Sequence, residues 1–303
     1  MPNDLQMLPK LRDSLSYLYF DKAIIERDNN AIVVLRKDKR IPVPIASLTV
    51  LMLGPGTTIT QAAMRVIAES GCMVIWCVEG GMRFYGYGMG ETRSSERLML
   101  QASCFADPEK HMQVVKRMYA LRFADLPTDN LTLEQIRGLE GVRVRELYKL
   151  FARKYHVQWK GRSYKDDDWD STDDLNRALS AANTCLYGLC NAAIVSLGYS
   201  SGLGFVHTGK MLSFVYDIAD LYKAQVSIPS AFEAVSCPRV DTIEQTVRKI
   251  CRTRLREHRI LKRIADDLEY IFQDSTEDDP NKKSPCGLWN IDSTITGGKN
   301  YGV

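Results

Sequence analysis

With 303 residues, 45% of them hydrophobic and 25% charged, the chain has an ordinary globular make-up and length for about two domains. A net charge of +3 is too small to point to nucleic acid by itself, and eight cysteines without a CxxC pair or other zinc spacing exclude a zinc module. The opening MPNDLQMLPKLRDS lacks an apolar signal region. Cys185–Tyr199 is short and Gly/Asn-interrupted, so neither a secretory signal nor a membrane span is expected. Cys72, Cys77, Cys185 and Cys190 lie in apolar runs and read as buried free thiols of a reducing, cytoplasmic compartment.

The first ninety residues read as strands. Ser14–Phe20, Ile24–Arg27, Ala31–Leu35, Ile41–Ile45, Leu48–Leu53, Cys72–Val78 and Met82–Tyr87 are short, β-branched or aromatic, and mostly bounded by turn residues. One helix interrupts them, QAAMRVIAES, capped by Thr60 and stopped at Gly71. After Glu91 the apolar period moves to 3.6 and predicts helices near 94–105, 109–124, 132–156, 172–198, 211–224, 229–235 and 241–272. Pro108 falls between two of these, and Pro229 suits the first position of its helix. The expectation is an α+β protein: a β-rich domain with one helix over 1–91, a larger all-α domain over 92–273, and a polar, flexible tail over 274–303.

Chemistry concentrates in GFVHTGKMLSFVYDIADLYK, residues 204–223. Its Gly204-x-x-x-x-Gly209-Lys210 is not a phosphate loop, because Met211 stands where the Mg²⁺-binding hydroxyl belongs and no strand–helix alternation surrounds it. On a helix, Asp217 and Asp220 fall at the edge of the buried face, where carboxylates need a partner or a cation. The pair reads either as the polar border of an amphipathic helix or, with His207 just upstream, as a metal site. Lys210 and Lys223 bracket the acids and suit phosphate oxygens. Glu140 lies on a separate helix between Gly138 and Gly141, which permit close approach of a ligand or simply a tight helix crossing. One imidazole with carboxylates suits Mg²⁺ or Mn²⁺ and leaves positions open for a phosphodiester.

Between Arg248 and Arg263 there are eight Lys/Arg against one acid, Glu257. Arg248, Arg252, Arg256, Arg259 and Arg263 recur every three or four residues and form one stripe, either a solvated helix face or a track for a nucleic-acid backbone. Asp166-x-Asp168-x-Asp170 fails as a calcium loop, since Ser171 replaces the glycine and Arg177 the bidentate glutamate. Gly86-x-Gly88-x-Gly90 lacks dinucleotide spacing.

The segments GLEGVRVRELYKLFARKYHVQWKGRSY (138–164) and GFVHTGKMLSFVYDIADLYK (204–223) closely resemble the CRISPR adaptation integrase family, in the form that accompanies type I-E systems. LMLGPGTTITQAAMRVIAESGCMVIWCVEGGMRFYG (51–86) and VVKRMYALRF (114–123) fit the same family, and the likeness runs from about residue 8 to about 265. The resemblance implies a β-rich N-terminal domain, a helical catalytic domain and a homodimer, two of which flank a dimer of a small partner subunit. It implies an enzyme acting on double-stranded protospacer and CRISPR-repeat DNA. A 3′-hydroxyl attacks a phosphodiester at the repeat boundary, and one phosphodiester replaces another without ATP. It puts the metal ligands on Glu140, His207 and Asp220, a further essential acid on Asp217, a site tyrosine on Tyr187 and a DNA-binding arginine on Arg83.

Two departures stand out. The family's N-terminal wedge tyrosine falls on Lys22, with Tyr17, Tyr19 and Phe20 nearby, and the tail after Asp274 differs. Two rivals share these residues: a metal-dependent nuclease on branched DNA, and a non-catalytic DNA scaffold whose carboxylates are structural.

Overall fold

The computed structural model describes residues 17–37, 39–78, 84–90, 95–123, 131–161, 173–238 and 240–273, and two short strands at 287–289 and 294–296. Strands β1 (Tyr17–Phe20), β2 (Ile24–Asp28), β3 (Ala31–Arg36), β4 (Lys39–Val43), β5 (Val50–Leu53), β6 (Thr58–Ile59), β7 (Met73–Cys77) and β8 (Phe84–Gly88) surround one helix, α1 (Gln61–Glu69). Thr60 caps α1 by accepting the Ala63 N–H, as its sequence position predicts. Two sheets form, ordered β1-β5-β7-β8 and β4-β3-β2-β6. In the first, β1, β5 and β7 run parallel and β8 is antiparallel.

A parallel strand covered on both faces is apolar at every position, and Val50–Leu53 obeys this with all four residues buried. Leu51, Leu53 and Val74 point into a core shared with Ile25, Ile32 and Val34 of the other sheet and with Ala63, Val66 and Ile67 of α1. Val50, Met52, Met73 and Ile75 face the opposite way and meet Ala192 and Val195 of a long helix from the second half of the chain. The β-rich and helical parts therefore share a buried apolar contact.

That helix is α5 (Asp174–Ser196), and around it stand α2 (Glu96–Ala106), α3 (Pro108–Arg122), α4 (Leu133–Tyr155), α6 (Ser213–Asp220), α7 (Ser227–Ser236), α8 (Ile243–Glu257) and α9 (Ile260–Ile271). By length and composition α5 is apolar enough to cross a membrane, contrary to the sequence expectation, yet 67% of its most apolar window is buried inside the protein. Small residues such as Ala178, Ala182, Gly188 and Ala193 let its neighbours approach closely, which marks a core helix. The four thiols expected to be buried are buried.

Four details differ from the sequence reading. Pro108 is the first residue of α3 beneath the Asp107 cap, where its missing N–H costs nothing, whereas Pro229 is the third residue of α7 rather than the first. The single helix expected over 241–272 is two, because Arg259 adopts a left-handed φ of 49° and turns the chain. Ile260, Ile264, Leu268 and Ile271 can then enter the central core, which a straight continuation of α8 would not allow. Most of the tail lies outside the described residues. Its described part is an unexpected antiparallel pair, β9 (Gly287–Trp289) with β10 (Thr294–Thr296).

Helix α4 enters through a capping box, Thr132 accepting the Gln135 N–H while the Gln135 side chain accepts the Thr132 N–H. Thr132→Ala should lower stability by about 1 kcal/mol, read as a shifted denaturant midpoint with an unchanged slope; an unmoved midpoint would show that the cap is dispensable.

Candidate active site

Helices α3 and α6 and the turn before α6 form a small cleft lined by Met118, Tyr119, Arg122, Val206, His207, Asp217, Asp220 and Leu221, and α4 brings Glu140 against its Tyr119 and Arg122. Its foundation is Asp217, whose side chain is completely buried. The sequence placed this residue at the edge of the buried face; it lies inside. Its Oδ2 accepts the backbone N–H groups of Phe205 at 2.6 Å and Val206 at 3.1 Å. Its Oδ1 accepts the His207 N–H at 2.9 Å and meets His207 Nδ1 at 2.7 Å. A buried carboxylate is tolerable only when its lone pairs are filled in this way.

The turn is held from other sides too. A Cβ on Gly204 would lie 2.2 Å from the His207 carbonyl oxygen, so only glycine fits there. The Phe205 ring packs among His111, Phe214 and Phe272. Buried Gln101 donates to the carbonyls of Ser200 and Leu203 and accepts the Ser200 N–H.

His207 consequently has one orientation. Its Nδ1 donates to Asp217, which leaves Nε2 as the ring atom for a ligand. The hydrogen bond to Asp217, helped by nearby Asp220 and opposed by partial burial, raises the imidazole pKa above its usual value. The imidazole edge faces Tyr216, and Tyr216 faces Tyr187, with centroids 5.9 and 5.0 Å apart.

Asp220 is the last residue of α6, the end of a helix least suited to an acid. Two cations offset this. Lys223 Nζ lies 2.5 Å from Oδ1, at an angle that forms no proper hydrogen bond, and Arg122 Nη1 lies 3.4 Å from Oδ2. Burial opposes the Lys223 charge, but Asp220 and Tyr187 beside it prevail and raise its pKa. The same Arg122 Nη1 contacts Glu140 Oε1, while the Tyr119 hydroxyl donates to Glu140 Oε2 at 2.8 Å. Burial first, then that bond to Glu140, raises the Tyr119 pKa.

His207, Asp217 and Asp220 thus line one cleft, Glu140 joins it through Arg122 and Tyr119, and Tyr187 stands behind through Lys223 and Tyr216. Among the described residues no three His, Cys, Asp or Glu side chains close around one point. A guanidinium nitrogen stands between Glu140 and Asp220 instead. Both carboxylates reach that one cationic atom, and two carboxylates beside an imidazole are a donor set of the kind a divalent cation accepts. Added Cβ atoms would meet nothing within 4 Å at Gly138, and at Gly141 only an Arg145 nitrogen at 3.6 Å. Among the described residues no helix crosses at these two glycines.

Of the remaining candidates, Lys210 is exposed beside the cleft, whereas Lys223 is occupied by Asp220. Arg248 is half-buried and Arg252 and Arg256 are exposed, one helical turn apart on α8. Arg259 forms the break and Arg263 falls beyond it, so the stripe is not continuous; Arg263 donates to Gln225 and lies over Tyr222. Arg83 lies outside the described residues. Sequence reasoning missed Tyr119, Arg122 and Tyr216. The first two sit three apart in the quoted VVKRMYALRF, a spacing that puts both on one helix face.

Asp217→Asn exchanges an acceptor oxygen for an amide amid N–H donors and should cost roughly 2–3 kcal/mol. Amides 205–207 should also exchange hydrogen much faster; protection as in the parent protein would contradict the assigned cage.

Known proteins resemble this chain in sequence and fold. The profile of the family described as CRISPR associated protein Cas1 matches residues 16–128 and 123–240. The CRISPR-associated endonuclease Cas1 2 of Thermus thermophilus is 48% identical, covering 99% of this chain and 94% of its own. The CRISPR-associated endonuclease Cas1 of Escherichia coli is 38% identical over 86% of each. A solved structure described as a TtCas1–DNA complex superposes with a TM-score of 0.81 at 51% identity, covering 88% of this chain and 100% of that one. On this likeness in sequence and fold, the chain belongs to the Cas1 family of CRISPR-associated proteins.

Proposed function

We propose that this protein is a metal-dependent DNA integrase that inserts short protospacer DNA into a CRISPR array of the type I-E kind, with endonuclease activity at the same site. The observation that carries the proposal is the meeting of Glu140 and Asp220, from separate helices, on one cationic atom beside an imidazole locked by buried Asp217. Mg²⁺ or Mn²⁺ held by Glu140, His207 and Asp220 would polarise the target phosphodiester and stabilise charge in an in-line displacement. Asp217 keeps the His207 Nε2 lone pair available for that role. Lys223 secures Asp220, Tyr187 buttresses Lys223 with its ring 5.3 Å from Nζ, and exposed Lys210 neutralises a DNA phosphate.

In the same reading the β-rich part dimerises, two dimers flank a dimer of a small partner subunit, and the complex works in the cytoplasm. Arg83, Arg248, Arg252, Arg256 and Arg259 track DNA phosphates. The relatives' names as endonucleases and the DNA-bound neighbour support action on DNA. They equally suit a nuclease on branched DNA, which uses the same residues with water as nucleophile.

Asp220→Ala should abolish joining of a labelled 3′-hydroxyl duplex to a supercoiled repeat-bearing plasmid, assayed with the partner subunit, while the circular-dichroism spectrum stays native. Joining at the parent level would sink the assignment, and cleavage without joining by the parent protein would favour the nuclease. Alanine at both Arg252 and Arg256 should weaken DNA capture and lower the magnitude of the log–log salt slope by about two. An unchanged slope would remove α8 from the DNA path.

A further inference from the structure

Arg122 has no part in the chemistry derived so far, yet it is the group through which the two halves of the ligand set touch. It lies in the last turn of α3, Glu140 is on α4 and Asp220 ends α6. One nitrogen, Nη1, contacts Glu140 Oε1 and Asp220 Oδ2. The three side chains are 15%, 21% and 14% exposed, so water screens these pairs poorly. Without the guanidinium between them, the two carboxylates would repel and have less reason to face one another. The guanidinium is seated from behind as well, lying over the Phe123 ring at 5.2 Å, and the Arg143 guanidinium lies over the same ring at the same distance. One turn earlier on α3, Tyr119 fixes the other Glu140 oxygen.

We propose that Arg122 is a built-in counter-ion of the metal site, holding Glu140 and Asp220 toward each other until a divalent cation takes its place. It is a positioning residue, and the inference rests on the metal-site reading above. Metal entry and guanidinium withdrawal are then one competitive exchange. Apparent metal affinity is lower than the carboxylates alone would give, by the fraction of molecules in which Arg122 has withdrawn.

The test is Mn²⁺ binding, followed by the loss of free-ion electron paramagnetic resonance signal, with thermal unfolding in parallel. Arg122→Leu should bind Mn²⁺ tighter by on the order of tenfold. It should melt earlier than the parent without metal and gain more from added Mn²⁺. Arg122→Lys, a milder change that keeps the charge but loses the fork, should fall between the two and guards against a leucine variant that fails to fold. A merely structural arginine would melt earlier without tighter binding, and that result overturns the proposal. Asp220→Ala separates the two claims. If parent binding disappears in Asp220→Ala but Arg122→Leu and Arg122→Lys bind no tighter, Arg122 alone is wrong. If Asp220→Ala binds Mn²⁺ like the parent, the metal site and the counter-ion fall together.

Discussion

A single buried carboxylate organises this protein's candidate site. Asp217 fills its oxygens with three successive backbone N–H groups and one imidazole N–H. A charge-bearing group in such a place costs free energy unless every lone pair is used, so the turn 205–207 has almost no alternative conformation compatible with the fold. From that constraint follow the glycine at 204, the aromatic packing behind Phe205 and the single orientation of His207. The α6 helix then delivers Asp220 three residues later, at an end of the helix that disfavours it. The stability given up there is recovered through Lys223 and Arg122.

The wider architecture serves to bring α3, α4 and α6 together. Helix α5 is buried on nearly every side, contacting the parallel sheet through Ala192 and Val195 and the core beneath α6 through Leu186 and Cys190. The break at Arg259 lets α9 close that core from the other side. Glu140, by contrast, sits on a helix with open space around its flanking glycines. The His207–Asp217 wall is tied down by four hydrogen bonds, yet the His207 ring stays more exposed than the Glu140 carboxylate.

Much of this was legible in the sequence, for identifiable reasons. Strand and helix types followed from period and turn residues, and Glu140, His207 and Asp220 stood out through long quoted motifs. Sheet order was not legible, because β1, β5 and β7 pair in parallel across long connections that leave no local mark. The α8–α9 break was hidden because Glu257-His258-Arg259 contains neither Gly nor Pro, and a left-handed arginine is selected only by the core that α9 enters. Arg122 and Tyr119 were passed over since, on one helix, they look like ordinary amphipathic residues; their partners are on two other helices. Asp217 was judged half-buried because a helical wheel knows nothing of the turn that folds over it.

The central claim is that Glu140, His207 and Asp220 form one cation site on the scaffold set by Asp217. The most direct measurement is anomalous X-ray scattering from crystals grown with Mn²⁺. The account predicts one strong peak in this cleft within bonding distance of His207 Nε2 and both carboxylates, with Arg122 turned away. A peak elsewhere, or none while Arg122 still bridges Glu140 and Asp220 at saturating Mn²⁺, would contradict it.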